Sequence, residues 1–348
     1  MIELDGDTMV VSFPDVHPAA RLRITFQRTL RIPDDGSDYP LPPGLGAFPL
    51  RHVDDFAASA PPHWLRRGGV MLPMYQSEAM WLHFTSDEIE GHDARYPFAI
   101  RVAAGKVDAV TGEPWRDGLS ATTQNYVVSP RQPWLDGFCV KKGTIRQFVA
   151  MPLGDGYSVE KQVTGREEHG GLQLQVVPMR RAAFERRFPK VERHRFAANA
   201  SMVPNACADM FDGVVFCKAE MSLGAGGRMR QEISADPFDF ADWATEPTSR
   251  CFVHLVNSLA WRKITGEAPP TVPFTAAEYN REELPWFEYY ADGPALDAGL
   301  PLKGIKSILE LAKAMGTNPL PENQPVTPAN IVQLRQGLRP GQVREGSF

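Results

Sequence analysis

The residue types that could do chemistry stand far apart along this chain. The most conspicuous run is MSLGAGGRMRQEI, Met221 to Ile233, where three glycines lie beside Arg228 and Arg230. Glycines beside basic residues can cradle an anion, but a phosphate loop needs a strand before them and a helix after them, whose N-terminus supplies aligned N–H groups. Here both flanks alternate with period 2: Cys217, Ala219, Met221 and Leu223 upstream, Met229 and Ile233 downstream. The pattern predicts a hairpin turn at Gly224–Gly227, with Arg228 and Arg230 as a basic binding pair at its mouth.

Other candidates are short constellations. His52 precedes Asp54 and Asp55, and His92 precedes Asp93; imidazole and carboxylate together can hold a metal or move a proton. His169 stands before Gly170–Gly171, where a backbone or ligand can come close. Together His52, Asp54, Asp55 and His169 would form the loop-built, metal-dependent site of a hydrolytic enzyme. Ser158 and Lys161 have the S-x-x-K spacing of serine–lysine acylases, but the supporting motifs are missing and Ser158 stands where a helix cap belongs. Seven tryptophans are spread along the chain, several beside proline or aspartate, as in QPWLDGF, where Trp134 and Asp136 are two residues apart. Aromatic platforms with nearby Asp, Asn and Gln are how β-sandwich proteins hold sugars or partner peptides, while Trp–Pro neighbours can also simply pin loops onto the sheet.

The elements that must position these residues are mainly strands. In LRITFQRTLRI, Leu22, Ile24, Phe26, Leu30 and Ile32 point one way and Arg23, Thr25, Gln27, Thr29 and Arg31 the other. Arg28 interrupts the apolar face and must find a partner, bend out at a bulge or lie near the sheet edge. Further strands are expected in GVMLPMYQ, AMWLHF, YPFAIRVAA, KVDAV, QNYVVS, GFCVKKGTIRQFVAM and GLQLQVVPM, with turns at Thr111–Gly112 and Lys141–Gly143. After about residue 236 helix signals take over: Ser249 as cap of a helix through CFVHLVNSLAWRKIT, capping boxes at Thr275–Glu278 and Ser307–Glu310, and Thr327–Pro328 as a further helix start. The expected fold is α+β, with a β-rich body of antiparallel sandwich or barrel-like sheets at 1–235. A proline-rich arm of short helices at 236–348 packs on it as one integrated unit.

Composition narrows the function classes. The 31 prolines are nearly twice the usual share of about 5% and favour short segments joined by turns. No P-loop, H-E-x-x-H, G-x-S-x-G or Rossmann fingerprint occurs. A net charge of −5 argues against general nucleic-acid binding. Arg180–Arg195 nevertheless carries seven basic residues against two acidic ones, a docking patch for an acidic partner or a solvated connector with Phe184 and Phe188 buried. Cys139, Cys207, Cys217 and Cys251 form no C-x-x-C pair, and Cys217 and Cys251 read as small core residues. No transmembrane run and no signal peptide is expected, so a cytoplasmic setting is the default. No cofactor is indicated.

The passages LRIPDDGSDYPLPPGLGAFPLRHVDDF, GGVMLPMYQSEAMWLHF, PWLDGFCVKKGTIRQFVAMPLGDGYSVEKQVTG and LGAGGRMRQEI resemble blocks of an uncharacterised family of microbial proteins. The resemblance covers most of the chain and implies one integrated unit. It carries no activity, fold or ligand. The residues therefore favour a non-catalytic binding or assembly protein, with a protein partner or self-association, over the hydrolytic enzyme.

Overall fold

The computed structural model describes residues 1–92, 94–190, 218–290, 294–317 and 324–335. It is an α+β fold built on one large, mainly antiparallel sheet. The long strands run side by side in the order Thr8–Ser12, Arg21–Leu30, Glu78–Ser86, Thr144–Pro152, Glu220–Arg230, Ser249–Asn257, Leu172–Pro178 and Phe98–Ala104. Two parallel pairings interrupt the pattern: Val70–Met74 lies along Ser249–Asn257, and Asp38–Tyr39 along Glu220–Arg230. The sheet curls on itself, because residues from both ends of that order, such as Phe26 and Ile100, belong to one continuous core. Phe13 and Phe98 meet across it at 6.2 Å. Among the described residues no helix is long and apolar enough to cross a membrane.

Arg21–Leu30 alternates as its sequence demands, with Leu22, Ile24 and Phe26 fully buried and the residues between them half-exposed. Arg28 finds its partner on the neighbouring strand: its Nε lies 2.7 Å from Glu78 Oε2, and both side chains are buried. The other Glu78 oxygen accepts from the Tyr75 amide at 2.8 Å, and Arg28 Nη2 donates to the Thr271 carbonyl. Burial pushes the Glu78 carboxyl up to about 7, against the pull of Arg28. The hairpin at Lys141–Gly143 forms as expected, with Gly143 at φ 75°, and Gly112 turns at the same φ.

Three expectations are overturned. The Gly224–Gly227 hairpin does not exist: Glu220–Arg230 is one unbroken strand paired along Thr144–Pro152. Its glycines serve close packing and not a positive φ. A β-carbon at Gly224 would stand 2.9 Å from Ile308 Cγ1, one at Gly226 2.6 Å from Val149 Cγ2, and one at Gly227 2.5 Å from the Pro33 carbonyl oxygen. A second correction concerns the helix expected from Ser249, which begins only at Ser258 under an Asn257 cap, while Ser249–Asn257 is a strand. Its last five residues are buried, so both faces are covered there and its sequence mimics a helical stripe. Cys251 thus sits in a strand, its thiol pushed up to about 11 by burial. Third, Thr327–Pro328 opens no helix; Ile331–Arg335 is a strand parallel to Trp286–Tyr290. Three expected helix caps hold: Ser158, Thr275 and Ser307 each accept a backbone N–H three residues on.

The sheet takes the Ser249–Asn257 strand from the segment expected to be an arm. Among the described residues outside the sheet, some are buried against the rest of the chain. Leu302 and Ile308 are buried, and Trp286 is fully buried between Tyr39 and Tyr279.

A candidate binding slot at Trp81, Trp134 and Asp136

The strand register brings the notable acid and two tryptophans to one place. In the antiparallel pair Trp134–Leu135 with Glu78–Ser86, Trp134 faces His83 and Leu135 faces Leu82. Carried one residue further, that register would set Asp136 beside Trp81, and the two line one cavity. Because side chains alternate, Trp134, Asp136, Trp81 and His83 share one face of the sheet. On the next strand Thr25 and Gln27, opposite His83 and Trp81, continue that face. It is the polar face of LRITFQRTLRI, so a cleft here costs the main core nothing.

Two distant segments roof this face. The proline-rich excursion contributes Leu41 to Gly44, and the Trp286–Tyr290 strand contributes Phe287, with Leu334 from its parallel neighbour. The roof is tied together by Leu41 and Phe287, whose amides and carbonyls exchange two hydrogen bonds of 2.8 Å. Gly44 lies so close to Trp81 that a β-carbon there would stand 3.3 Å from the indole. Tyr289 meets Trp134 edge-on at 4.7 Å and holds its ring. The result is a cavity of about 170 Å³ with a lining of prolines, leucines and aromatic rings.

Asp136 is the one ionisable group in that lining. It is 6% exposed. Its amide donates to Gln231 Oε1 at 3.1 Å, and its Oδ2 accepts from Gln231 Nε2. Burial pushes its carboxyl up to about 7, with the Gln231 hydrogen bond opposing, and no cation among the described residues acts on it. Every other deeply buried carboxylate described has better company. Glu78 has Arg28, Asp34 has Arg146 at 3.4 Å, Asp108 has Arg101 at 3.4 Å, and Asp242 has Arg186 at 2.6 Å. Glu160 accepts from the amides of Glu168, His169 and Gly170. Asp136 stands alone with an aromatic slot beside it.

The remaining sequence candidates are placed as follows. His52 is exposed on a short edge strand, and exposed Asp54 and Asp55 open a 3-10 turn after it. No hydrogen bond or ion pair joins them to His169. The His169 imidazole is half-buried and held below its ordinary range by burial, with Lys106 and Arg67 adding to the effect. The close approach its glycines permit is to backbone: a β-carbon at Gly171 would stand 2.5 Å from the Val253 carbonyl oxygen. Among the described residues no group of three or more His, Cys, Asp or Glu could hold a metal ion. His92 bonds the Phe188 carbonyl at 2.6 Å, and Asp93 lies outside the described residues, as do Cys207 and Cys217. Lys161 Nζ donates to the Gly165 carbonyl and not to Ser158.

The two arginines of the glycine run do not form a free basic pair. Arg228 Nε lies 3.0 Å from Asp38 Oδ1, out of hydrogen-bond alignment, and Arg230 Nη1 donates to Glu288 at 2.6 Å. The basic stretch from Arg180 is described as far as Lys190, and part of it meets acids of this same chain. Arg186 and Arg187 pair with Asp242, Arg187 also with Asp239, and Arg181 with Glu185. Phe184 and Phe188 pack at 5.3 Å with their rings tilted.

Two features escape a reading of the sequence. A larger cavity of about 450 Å³ is lined by residues including Gln175, Arg180, Thr245 and Arg250. Its arginines are engaged, Arg250 with Asp117 at 2.8 Å and Arg180 with the Trp243 carbonyl at 2.9 Å. Elsewhere, Glu220 Oε1 accepts from Trp64 Nε1 at 2.6 Å and lies 2.7 Å from His63 Nε2. Beside them His254 is stacked between Trp64 and Phe252 and pushed down to about 3 by burial, so its Nε2 is a neutral donor to the Gly68 carbonyl. Trp64 and Glu220 are 156 residues apart, and no spacing announces that meeting. Comparison with protein-family models, with curated proteins and with solved structures gives no match for this chain.

Proposed function

We propose that the protein is a non-catalytic binding protein whose ligand enters the slot between Trp81 and Trp134. The observation that supports this reading is Asp136, a buried carboxyl without a cation at the edge of an aromatic cavity. A buried charge without a partner costs stability, and such a group persists where a ligand supplies what the fold does not. The slot has apolar walls and a single polar group, the composition of a small-molecule site in which one contact sets orientation. It is smaller than the roughly 300–1,000 Å³ of pockets that enclose a drug-sized molecule. It fits the head of a ligand whose remainder stays in solvent. Catalysis would need a second reactive group in reach of that head, and beyond Asp136 the lining offers no titratable or nucleophilic side chain.

A thermal-shift screen with compact-headed amines, alcohols and carboxylates tests the reading, followed by calorimetry on the hits. At least one compound should bind, and Trp134→Ala or Trp81→Ala should weaken it by about tenfold or more, as expected for loss of a central aromatic anchor. Hits that bind both variants as tightly as the parent protein would place the ligand elsewhere. No hit at all would remove the slot as a binding site.

A further inference from the structure

We propose that the slot recognises a quaternary ammonium group, seated against Trp81 and Trp134 with Asp136 as its counter-ion. This deepens the binding reading above and rests on it. Charge is the first argument. The lining carries one ionisable side chain, and it is an acid. An anionic ligand would be repelled by Asp136, while a cation would supply the charge that the surroundings of this carboxyl lack.

The walls give the second argument. Indole faces attract cations through the ring quadrupole, more strongly than Tyr or Phe does, and most strongly when water is displaced. Two tryptophans share this small cavity with Phe287. The rings need not hydrogen-bond the ligand to attract it.

Hydrogen-bonding capacity narrows the kind of cation. Asp136 Oδ2 is held by Gln231 Nε2, which leaves the other oxygen for a ligand. A guanidinium seeks two parallel acceptors and would find one. A primary ammonium carries three donors, and against these walls it meets a single carboxylate oxygen, so its other donors must keep their water and the ring contacts are diluted. A quaternary ammonium has no donors. Its charge is spread over methyl groups that pack against rings, prolines and leucines, so it loses nothing for want of acceptors. A sugar would need several polar contacts and meets the same shortage.

The test is a matched pair. Calorimetric titration at pH 8 compares choline with 3,3-dimethylbutan-1-ol, which has the same shape with carbon in place of the charged nitrogen. Choline should bind at least about tenfold more tightly, the advantage expected of a desolvated cation–π contact with a counter-ion. Asp136→Asn should abolish most of that advantage while retaining affinity for the neutral isostere, which also shows that the variant is folded. Equal binding of the two compounds by the parent protein would overturn the ammonium assignment and leave the slot as a binding site. Binding of neither would overturn both.

Discussion

Asp136→Asn is expected to stabilise the ligand-free protein at pH 8 and to leave its stability nearly unchanged at pH 4. An aspartate in an unfolded chain titrates near 3.9. In the fold, burial raises Asp136 to about 7. The folded state therefore holds this proton more tightly than the unfolded state, and the contribution of the group is most favourable below pH 4. That contribution is lost progressively as pH rises from about 4 to about 7, and the loss is constant above that range. Each tenfold gain in proton affinity is worth about 1.36 kcal/mol, so the full effect is on the order of 4 kcal/mol. Asparagine keeps the acceptor oxygen for Gln231 and cannot ionise, so the variant escapes the pH-dependent part. Urea unfolding of both proteins at pH 4 and pH 8 isolates it, because all other titrating groups are common to the two. A stability difference that stays flat between these pH values would show that Asp136 is solvated or already compensated.

The second large effect belongs to the buried Arg28–Glu78 pair. Removing one partner of such a pair leaves a charge buried without compensation and typically costs about 3–5 kcal/mol. Arg28→Met should fall in that range, with Glu78 taking up a proton once its cation is gone. The loss should therefore grow as pH rises above about 7, where Glu78 ionises in the parent fold but is still held protonated in the variant. A double variant, Arg28→Met with Glu78→Gln, keeps an acceptor for the Tyr75 amide and buries no charge, so it should recover much of the loss. Denaturant midpoints for the single and double variants decide the matter. Equal losses in both would mean that Arg28 contributes through its packing on Phe48, 5.9 Å away, and its bond to Thr271, and not through the ion pair.

The fold class and many of its elements are legible in the chain, and particular residues show why others are not. Leu22, Ile24 and Phe26 declare a strand because one side of it meets the core and the other does not. Ser249–Asn257 hides because it is covered on both faces near its end, so the period-2 signal that distinguishes strand from helix is absent. The glycines at Gly224–Gly227 mislead for a different reason. Glycine marks either a turn or a close approach, and only the positions of Ile308, Val149 and Pro33 decide between them. Trp134 and Asp136 are legible as a pair two residues apart, hence on one face of a strand. Their meeting with Trp81, and the roof supplied by Leu41 and Phe287, depend on strand pairings that no local pattern encodes. The missing cation is equally silent in the sequence, since it is a statement about everything that surrounds Asp136.

The state of that carboxyl can be measured directly. With aspartate carboxyl carbons labelled with ¹³C and the Asp136 resonance assigned through the Asp136→Asn variant, NMR titration follows its protonation in the ligand-free protein. A midpoint near pH 7 is the expected result. A midpoint near the ordinary value of about 3.9 would mean that water or a cation already satisfies Asp136, and the case for a ligand in the slot would go with it.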